Sequence, residues 1–245
     1  MDIVEKLKSD YNDFFNNPKY IYKVIGSRYL IILSKLEDSK TDEDRNGIVD
    51  KTYALYLANK LFVEKIIDMY KMTECNEVTD NVYIYEPNKM FYLKYVAGEI
   101  IKKIKYHEKS KDDPRVDIVY NVLLNYHKTI VPAYFYSLHL DELIDEAPLN
   151  ISGLDGTYAK WYDNGQKELE YKYVKGIFRK REEWNEKGQK VSLIMYDIVS
   201  KYIIQRSYYD DGKLKQTSIY SNGKVIQRDD FDEDGNKINK GCVVM

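Results

Sequence analysis

Cysteine is nearly absent: Cys75 and Cys242 are the only two in 245 residues, too few for a disulfide framework. Histidine is equally scarce. His107, His127 and His139 offer no pair at the i, i+4 spacing of a helical metal site, so no metal is expected. Long apolar runs are missing, since a stretch such as Tyr29–Leu33 falls far short of the roughly 20 residues that span a bilayer. The opening MDIVEKLKSD is charged almost at once, which argues against a secretory segment and for a reducing, cytoplasmic compartment. Charge of one sign is also lacking. With 38 Lys+Arg against 40 Asp+Glu, the chain has no bulk field to hold a nucleic acid or an anionic membrane. There is no phosphate-cradling glycine loop, nucleophile elbow or kinase signature, so no catalytic residue and no cofactor is expected.

What is present is a repeat. WYDNGQK (Trp161–Lys167), WNEKGQK (Trp184–Lys190), YYDDGKL (Tyr208–Leu214) and FDEDGNK (Phe231–Lys237) place glycines at Gly165, Gly188, Gly212 and Gly235, spaced 23, 24 and 23 residues apart. A weaker set, Gly176 in VKG and Gly223 in SNG, falls at the half period. The middle repeat has YDIVSKY (Tyr196–Tyr202) there instead, as if one turn had degenerated or lengthened. Glycine after Asn or Asp is the chemistry of a tight hairpin turn, which needs positive φ. The segments between, KELEYKYV, IFRKREEW, KVSLIMYD and their successors, are rich in β-branched and aromatic residues and partly alternate apolar with polar. Each repeat therefore reads as one hairpin, and the array as an antiparallel meander with one tyrosine-rich face. Lone hairpins cannot bury a face, so neighbours must do it for one another.

At these residues, over roughly 153–240, the chain resembles the variant MORN repeat, found in bacterial proteins often labelled antitoxins and in proteins of giant DNA viruses. The resemblance implies a sheet used as a binding or scaffold surface, sometimes at membranes, and does not imply catalysis. GSRYLIILSKLEDSKTDEDR, YALYLANKLFVEKI, YVAGE and AYFYSL, all upstream, resemble the amino-terminal region of uncharacterised giant-virus proteins that carry the same repeat. That implies a compact, mostly-β domain ahead of the repeats.

The fold class expected is α+β, mostly β. It comprises an α+β domain over 1–148, the repeat sheet over 153–240, and a flexible tail at 241–245. Within the first domain an amphipathic helix is expected at about 2–16, and YIYKVIGSRYLIILSKL reads as two strands around Gly26-Ser27. DSKTDEDRNG (Asp38–Gly47) reads as an acidic loop. Thr52–Tyr70 fits helix or strand equally, because its period decides nothing. NVYIYE, MFYLKYV and EIIKKIKY read as short strands, and SLHLDELIDE (Ser137–Glu146) as a helix with Ser137 at its N-cap. His139 with Asp141 and Glu142 could be drawn as an acid–base cluster, but a capped surface helix explains them more simply. Arg179, Lys180 and Arg181 could form a small anion or lipid-headgroup patch, yet Glu182 and Glu183 follow at once, and a solvated strand face is the better account. Residues 150–241 hold 17 Lys+Arg and 15 Asp+Glu, too even a balance for nucleic acid.

The last four residues, Cys242-Val243-Val244-Met245, follow the Cys-aliphatic-aliphatic-X pattern of protein prenylation, with Met pointing to farnesyl. This predicts a eukaryotic-type farnesyltransferase as a partner, peripheral membrane attachment through the lipid, and a eukaryotic or eukaryote-infecting source. The leading expectation is a non-enzymatic membrane-associated scaffold with an unidentified protein partner. The rival is an enzyme or inhibitor in the first domain, with Arg28, His139 or Asp141 lining a cleft and the repeats as a docking arm.

Overall fold

A computed structural model describes residues 3–84, 89–109, 117–138 and 156–239. The chain is mostly β and antiparallel, and divides into two units: 1–138 with 163–165, and 139–162 with 166–245. No helix among the described residues is long and apolar enough to cross a membrane.

The first unit opens with helices α1 (Ile3–Asp10) and α2 (Asn12–Phe15), which divide at Tyr11 the single helix expected over 2–16. Strands β1 (Tyr20–Ile25) and β2 (Tyr29–Ser34) then form the hairpin foreseen around Gly26-Ser27, both at φ +56°. The ambiguous segment is two strands, β3 (Leu55–Ala58) and β4 (Lys60–Asp68). Next come β5 (Thr73–Cys75), β6 (Glu77–Ile84), β7 (Lys89–Val96), β8 (Ile100–Lys102), β9 (Ile104–Lys109), β10 (Asp117–Val122), β11 (Leu124–His127) and helix α3 (Ile130–Tyr136). The main sheet runs β3-β11-β1-β2-β4-β5 with β8 alongside β4, while β6–β7 and β9–β10 are separate hairpins.

Burial on both faces explains why β1 and β2 lack alternation, the usual mark of a strand wet on one side. Ile21, Ile25, Ile31, Leu33, Tyr56 and Tyr126 pack with Leu93 and Tyr95 of β7. Tyr22, Val24, Leu30, Ile32 and Ile67 pack with Val4 and Leu7 of α1 and with Ile130 and Ala133 of α3. The expected helix start at Ser137 is corrected: Ser137 is the C-cap of α3, and its hydroxyl donates back to the Tyr134 carbonyl at 2.7 Å. The remainder of that expected helix, from His139, lies outside the described residues.

The second unit is one sheet in chain order: β12 (Gly156–Trp161), β13 (Lys167–Val174), β14 (Ile177–Trp184), β15 (Lys190–Asp197), β16 (Tyr202–Tyr208), β17 (Leu214–Ser221), β18 (Lys224–Phe231) and β19 (Lys237–Asn239). Each strand pairs with its sequence neighbours, so turns alternate between the two ends of the sheet. At one end every turn is five residues long, closing the pairs Trp161↔Lys167, Trp184↔Lys190, Tyr208↔Leu214 and Phe231↔Lys237. At the other, Val174↔Ile177 and Ser221↔Lys224 close over two residues. The middle turn, Asp197↔Tyr202, has lengthened to four.

Candidate interaction surface on the repeat sheet

The turn glycines lie where the sequence placed them. Gly165, Gly188, Gly212 and Gly235 have φ between +81° and +87°, and Gly176 and Gly223 are at +77° and +76°. Lys175 and Asn222, preceding the latter two, also have positive φ, the mark of a type I′ turn whose twist suits a hairpin. Each five-residue turn is closed by a backbone bond from its first residue to its last, Tyr162 N to Gln166 O, Asn185 N to Gln189 O, Tyr209 N to Lys213 O and Asp232 N to Asn236 O, all 2.8–2.9 Å, and in the last three the glycine amide also donates to the first residue's carbonyl at 2.8–3.0 Å.

The first residue of these turns alternates between two devices. In the first and third repeats it is tyrosine, and its hydroxyl donates to a carbonyl one repeat onward: Tyr162 to Trp184 O at 2.9 Å, Tyr209 to Phe231 O at 2.8 Å. In the second and fourth it is Asn185 or Asp232, whose side-chain oxygen instead accepts amides of its own turn, Gln189 N at 3.0 Å and Asn236 N at 2.8 Å. One device ties repeats together and the other fixes a turn locally.

The pairing register assigns residues to faces. Leu169, Tyr171, Tyr173, Phe178 and Tyr158 share one face, where Tyr173 meets Tyr158 and Phe178 edge-on at 6.2 and 5.8 Å. Leu169, Tyr171, Tyr173 and Phe178 are buried, so this stretch of the tyrosine-rich face is a packing surface. The opposite face carries a ladder of charge: Lys180 bridges Glu182 at 2.5 Å and Glu170 at 3.8 Å, and Lys190 reaches Glu182 at 2.5 Å. Burial works against the charged form of Glu182, but the hydrogen bonds from the two lysines outweigh it and hold the carboxyl below the usual carboxylate range.

On that charged face, towards the two-residue turns, lies an open concavity of about 590 Å³. Val174, Met195 and Ile204 supply an apolar floor, with Lys172, Arg179, Lys180, Tyr196 and the carboxylate of Asp197 around them. Arg179 is the extra residue of the β14 bulge, which offsets it from the regular ladder, and its Nη1 is buried without a hydrogen-bond partner. Arg179-Lys180-Arg181 is also the basic run that stands out in the sequence. The structure splits them: Lys180 is tied into the carboxylate ladder, Arg181 lies over Tyr171 at 5.5 Å and pairs with Glu183, and Arg179 faces the concavity.

The first unit has polar clusters of its own. Arg28, proposed for a cleft, is committed to Asp68, with Nε 3.0 Å and Nη2 2.5 Å from Oδ2. His139 and Asp141, its intended companions, lie outside the described residues, as does Cys242. Glu43, in the segment read as an acidic loop, is a hub: Tyr126 donates to it at 2.6 Å, with Lys128 and Lys35 at 2.9 and 3.0 Å. Burial opposes its ionisation, but these three partners prevail and bring it down to about 2. Lys23 is buried in β1, ion-paired to Asp80 at 3.0 Å and hydrogen-bonded to Asn125. His127 is buried with Nδ1 3.2 Å from the Ala54 carbonyl and Nε2 unpartnered, and burial depresses it to about 4. The space beside Lys23, Asn125 and His127 is about 10 Å³, room for one water and not for a substrate.

Comparison with known protein families and with curated proteins yields no match.

Proposed function

We propose that this is a non-enzymatic interaction protein whose repeat sheet is its docking surface, held peripherally at a membrane by a farnesyl group on Cys242. The observation that carries the docking half is the open concavity on an eight-stranded antiparallel sheet, lined by apolar residues, three cations and Asp197. Its supporting resemblance is to the variant MORN repeat, through WYDNGQK and its three successors. The support for the lipid is the sequence Cys242-Val243-Val244-Met245 itself.

The test is a comparison of wild type with Cys242→Ser, both made in eukaryotic cells. Mass spectrometry should find a farnesyl thioether on the wild type, and membrane fractionation should retain it and release the variant at unchanged melting temperature. An unmodified Cys242 in a protein found wholly in the cytosol would refute the anchor. Proteins co-purifying with the wild type and lost on Lys172→Glu with Arg179→Glu would identify the docking partner. Retention of every partner by that double variant would refute the concavity as its seat.

A further inference from the structure

The lining of the concavity is ordered across the strands. Lys172, Lys180, Met195 and Ile204 are successive cross-strand partners, one on each of β13 to β16, and so form a single row. At about 4.8 Å between strands the row is about 14 Å long, cationic over its first two strands and apolar over the next two. Lys172 and Lys180 are like charges directly opposite each other, an arrangement that costs a sheet stability. The β14 bulge sets a third cation, Arg179, beside them, and Val174 adds to the apolar lining. Asp197, two residues beyond Met195 on β15, places one negative charge beside the apolar half.

These cations are compensated unevenly. Among the described residues Lys180 is the one member of the trio held by carboxylates, Glu182 at 2.5 Å and Glu170 at 3.8 Å. Lys172 is exposed, and Arg179 Nη1 is buried with no hydrogen-bond partner. A buried donor left unpaired is costly. Guanidinium groups meet a carboxylate through two parallel hydrogen bonds, so one carboxylate set between Arg179 and Lys172 would satisfy both.

We infer that the concavity captures the C-terminal carboxylate of a partner polypeptide, with that carboxylate on Arg179 and Lys172 and the aliphatic side chains just before it on Val174, Met195 and Ile204. The inference rests on the docking half of the proposed function and names what that surface takes. Negative charge is matched at one end only. Asp197 disfavours an acidic stretch continuing over the apolar half, and its own oxygens already accept from the Val199 amide at 3.0 Å and the Ser200 hydroxyl at 2.7 Å. A chain terminus brings a single charge with side chains attached immediately behind it, and capture of a terminal carboxylate is a recurring mode of peptide recognition. Length fits as well, since extended residues advance about 3.3–3.6 Å each and about four of them cover the row. The open volume of about 590 Å³ accommodates their side chains.

The test uses full-length protein made in bacteria and labelled at its methionine and isoleucine methyl groups, with the Met195 and Ile204 signals assigned through Met195→Leu and Ile204→Val. A pool of acetylated tetrapeptides ending in Val, Leu, Ile or Met should shift both signals when added as free acids, and should bind at least about tenfold more weakly as C-terminal amides. Lys172→Gln and Arg179→Gln should each weaken binding of the free acids at least about tenfold and leave the amides as they were. The Lys172 side chain is exposed, so its variant should melt with the wild type, and it decides the matter alone if Arg179→Gln does not fold. Amides that bind as tightly as acids would overturn the inference, as would free acids that shift neither signal. Amidated peptides with an internal Asp that match the free acids would overturn it in favour of an acidic segment. Shifts produced by inorganic phosphate or by phosphatidylserine vesicles, with none from the peptides, would overturn it in favour of a phosphate ligand. A partner lost on Lys172→Glu with Arg179→Glu, beside free acids that do not bind, would leave the docking reading standing and sink this one, so the two fail separately.

Discussion

Gly165 and Gly212 occupy the same turn position with φ of +86° and +84°, yet they differ in what surrounds them. A Cβ on Gly212 meets nothing, while one on Gly165 would fall well inside contact distance of the Asp50 carbonyl oxygen and crowd the Ala54 amide. Asp50 and Ala54 belong with Gly165 in the first unit, where the carbonyls of Asp163 and Asn164 accept the amides of Leu55 and Val49 at 3.1 and 2.8 Å. Gly212→Ala should cost about 1 kcal/mol, the ordinary penalty for a side chain at positive φ. Gly165→Ala should cost about 3 kcal/mol or more, because backbone must move. Chemical denaturation of both variants decides it, and equal costs would show that the Asp50 contact does not matter. All six turn glycines were legible from spacing alone. That Gly165 is hemmed in by backbone, where Gly188 meets only the movable side chain of Gln166, was not, since the residues that crowd Gly165 stand more than a hundred positions earlier in the chain.

Among the elements, the six inner strands of the repeat sheet, β13 to β18, are legible almost residue for residue because turn chemistry marks both ends of each, whereas the outer strands β12 and β19 have a turn at one end only. The first unit was harder for physical reasons. Strands β1 and β2 are buried on both faces and lose alternation, whereas β3 and the start of β4 alternate in burial but carry apolar residues on both faces, so their sequence could not be told from a helix. Helix α3 was not foreseen because IVPAYFY looks like an apolar loop with a proline; Pro132 falls in its first turn, where the missing amide has no helical partner to lose. Ser137 was misread because a serine near a helix end favours either terminus, and here it bonds backwards. The lengthened turn was noticed as a gap in the pattern, without any sign that its tip is exposed. Replacing Ile198–Lys201 by Asn-Gly should restore the two-residue turn and raise stability by about 0.5–1 kcal/mol. Chemical denaturation of this variant beside the wild type measures the gain. A midpoint that does not rise would show that the four-residue turn costs the sheet nothing.

At the scale of the molecule, acid should unfold the first unit in two stages. His127 sits at about 4 in the fold against 6.5 ordinarily. Between those values the unfolded chain binds more protons, so stability is full above about pH 6.5 and falls as pH drops towards 4, by about 3 kcal/mol in all. Glu43, at about 2 in the fold against 4.5, adds a further loss in the same direction from about pH 4.5 downwards. His127→Gln should flatten the upper stage and spare the lower. Both tryptophans, Trp161 and Trp184, lie on strands of the second unit, so tryptophan emission cannot follow this transition. Amide exchange in β1 and β2 against pH can, and an identical upper slope in the variant would rule out His127 as its source. Near-balanced composition conceals a polarity of the repeat sheet: the strand ends and turns at 171–180, 194–205 and 218–227 carry six cations against one carboxylate, which appears only when alternate turns are assigned to opposite ends.

Because every strand of that sheet pairs only with its neighbours in sequence, the sheet is also a ruler. At about 4.8 Å between strands, eight of them set the outer two about 34 Å apart, and each further copy of the 23-residue unit would add about 10 Å without disturbing any existing register. Span across the platform is therefore encoded in whole hairpins, and a partner that bridges several repeats would sense a gained or lost copy as a change of distance while every local contact stayed the same.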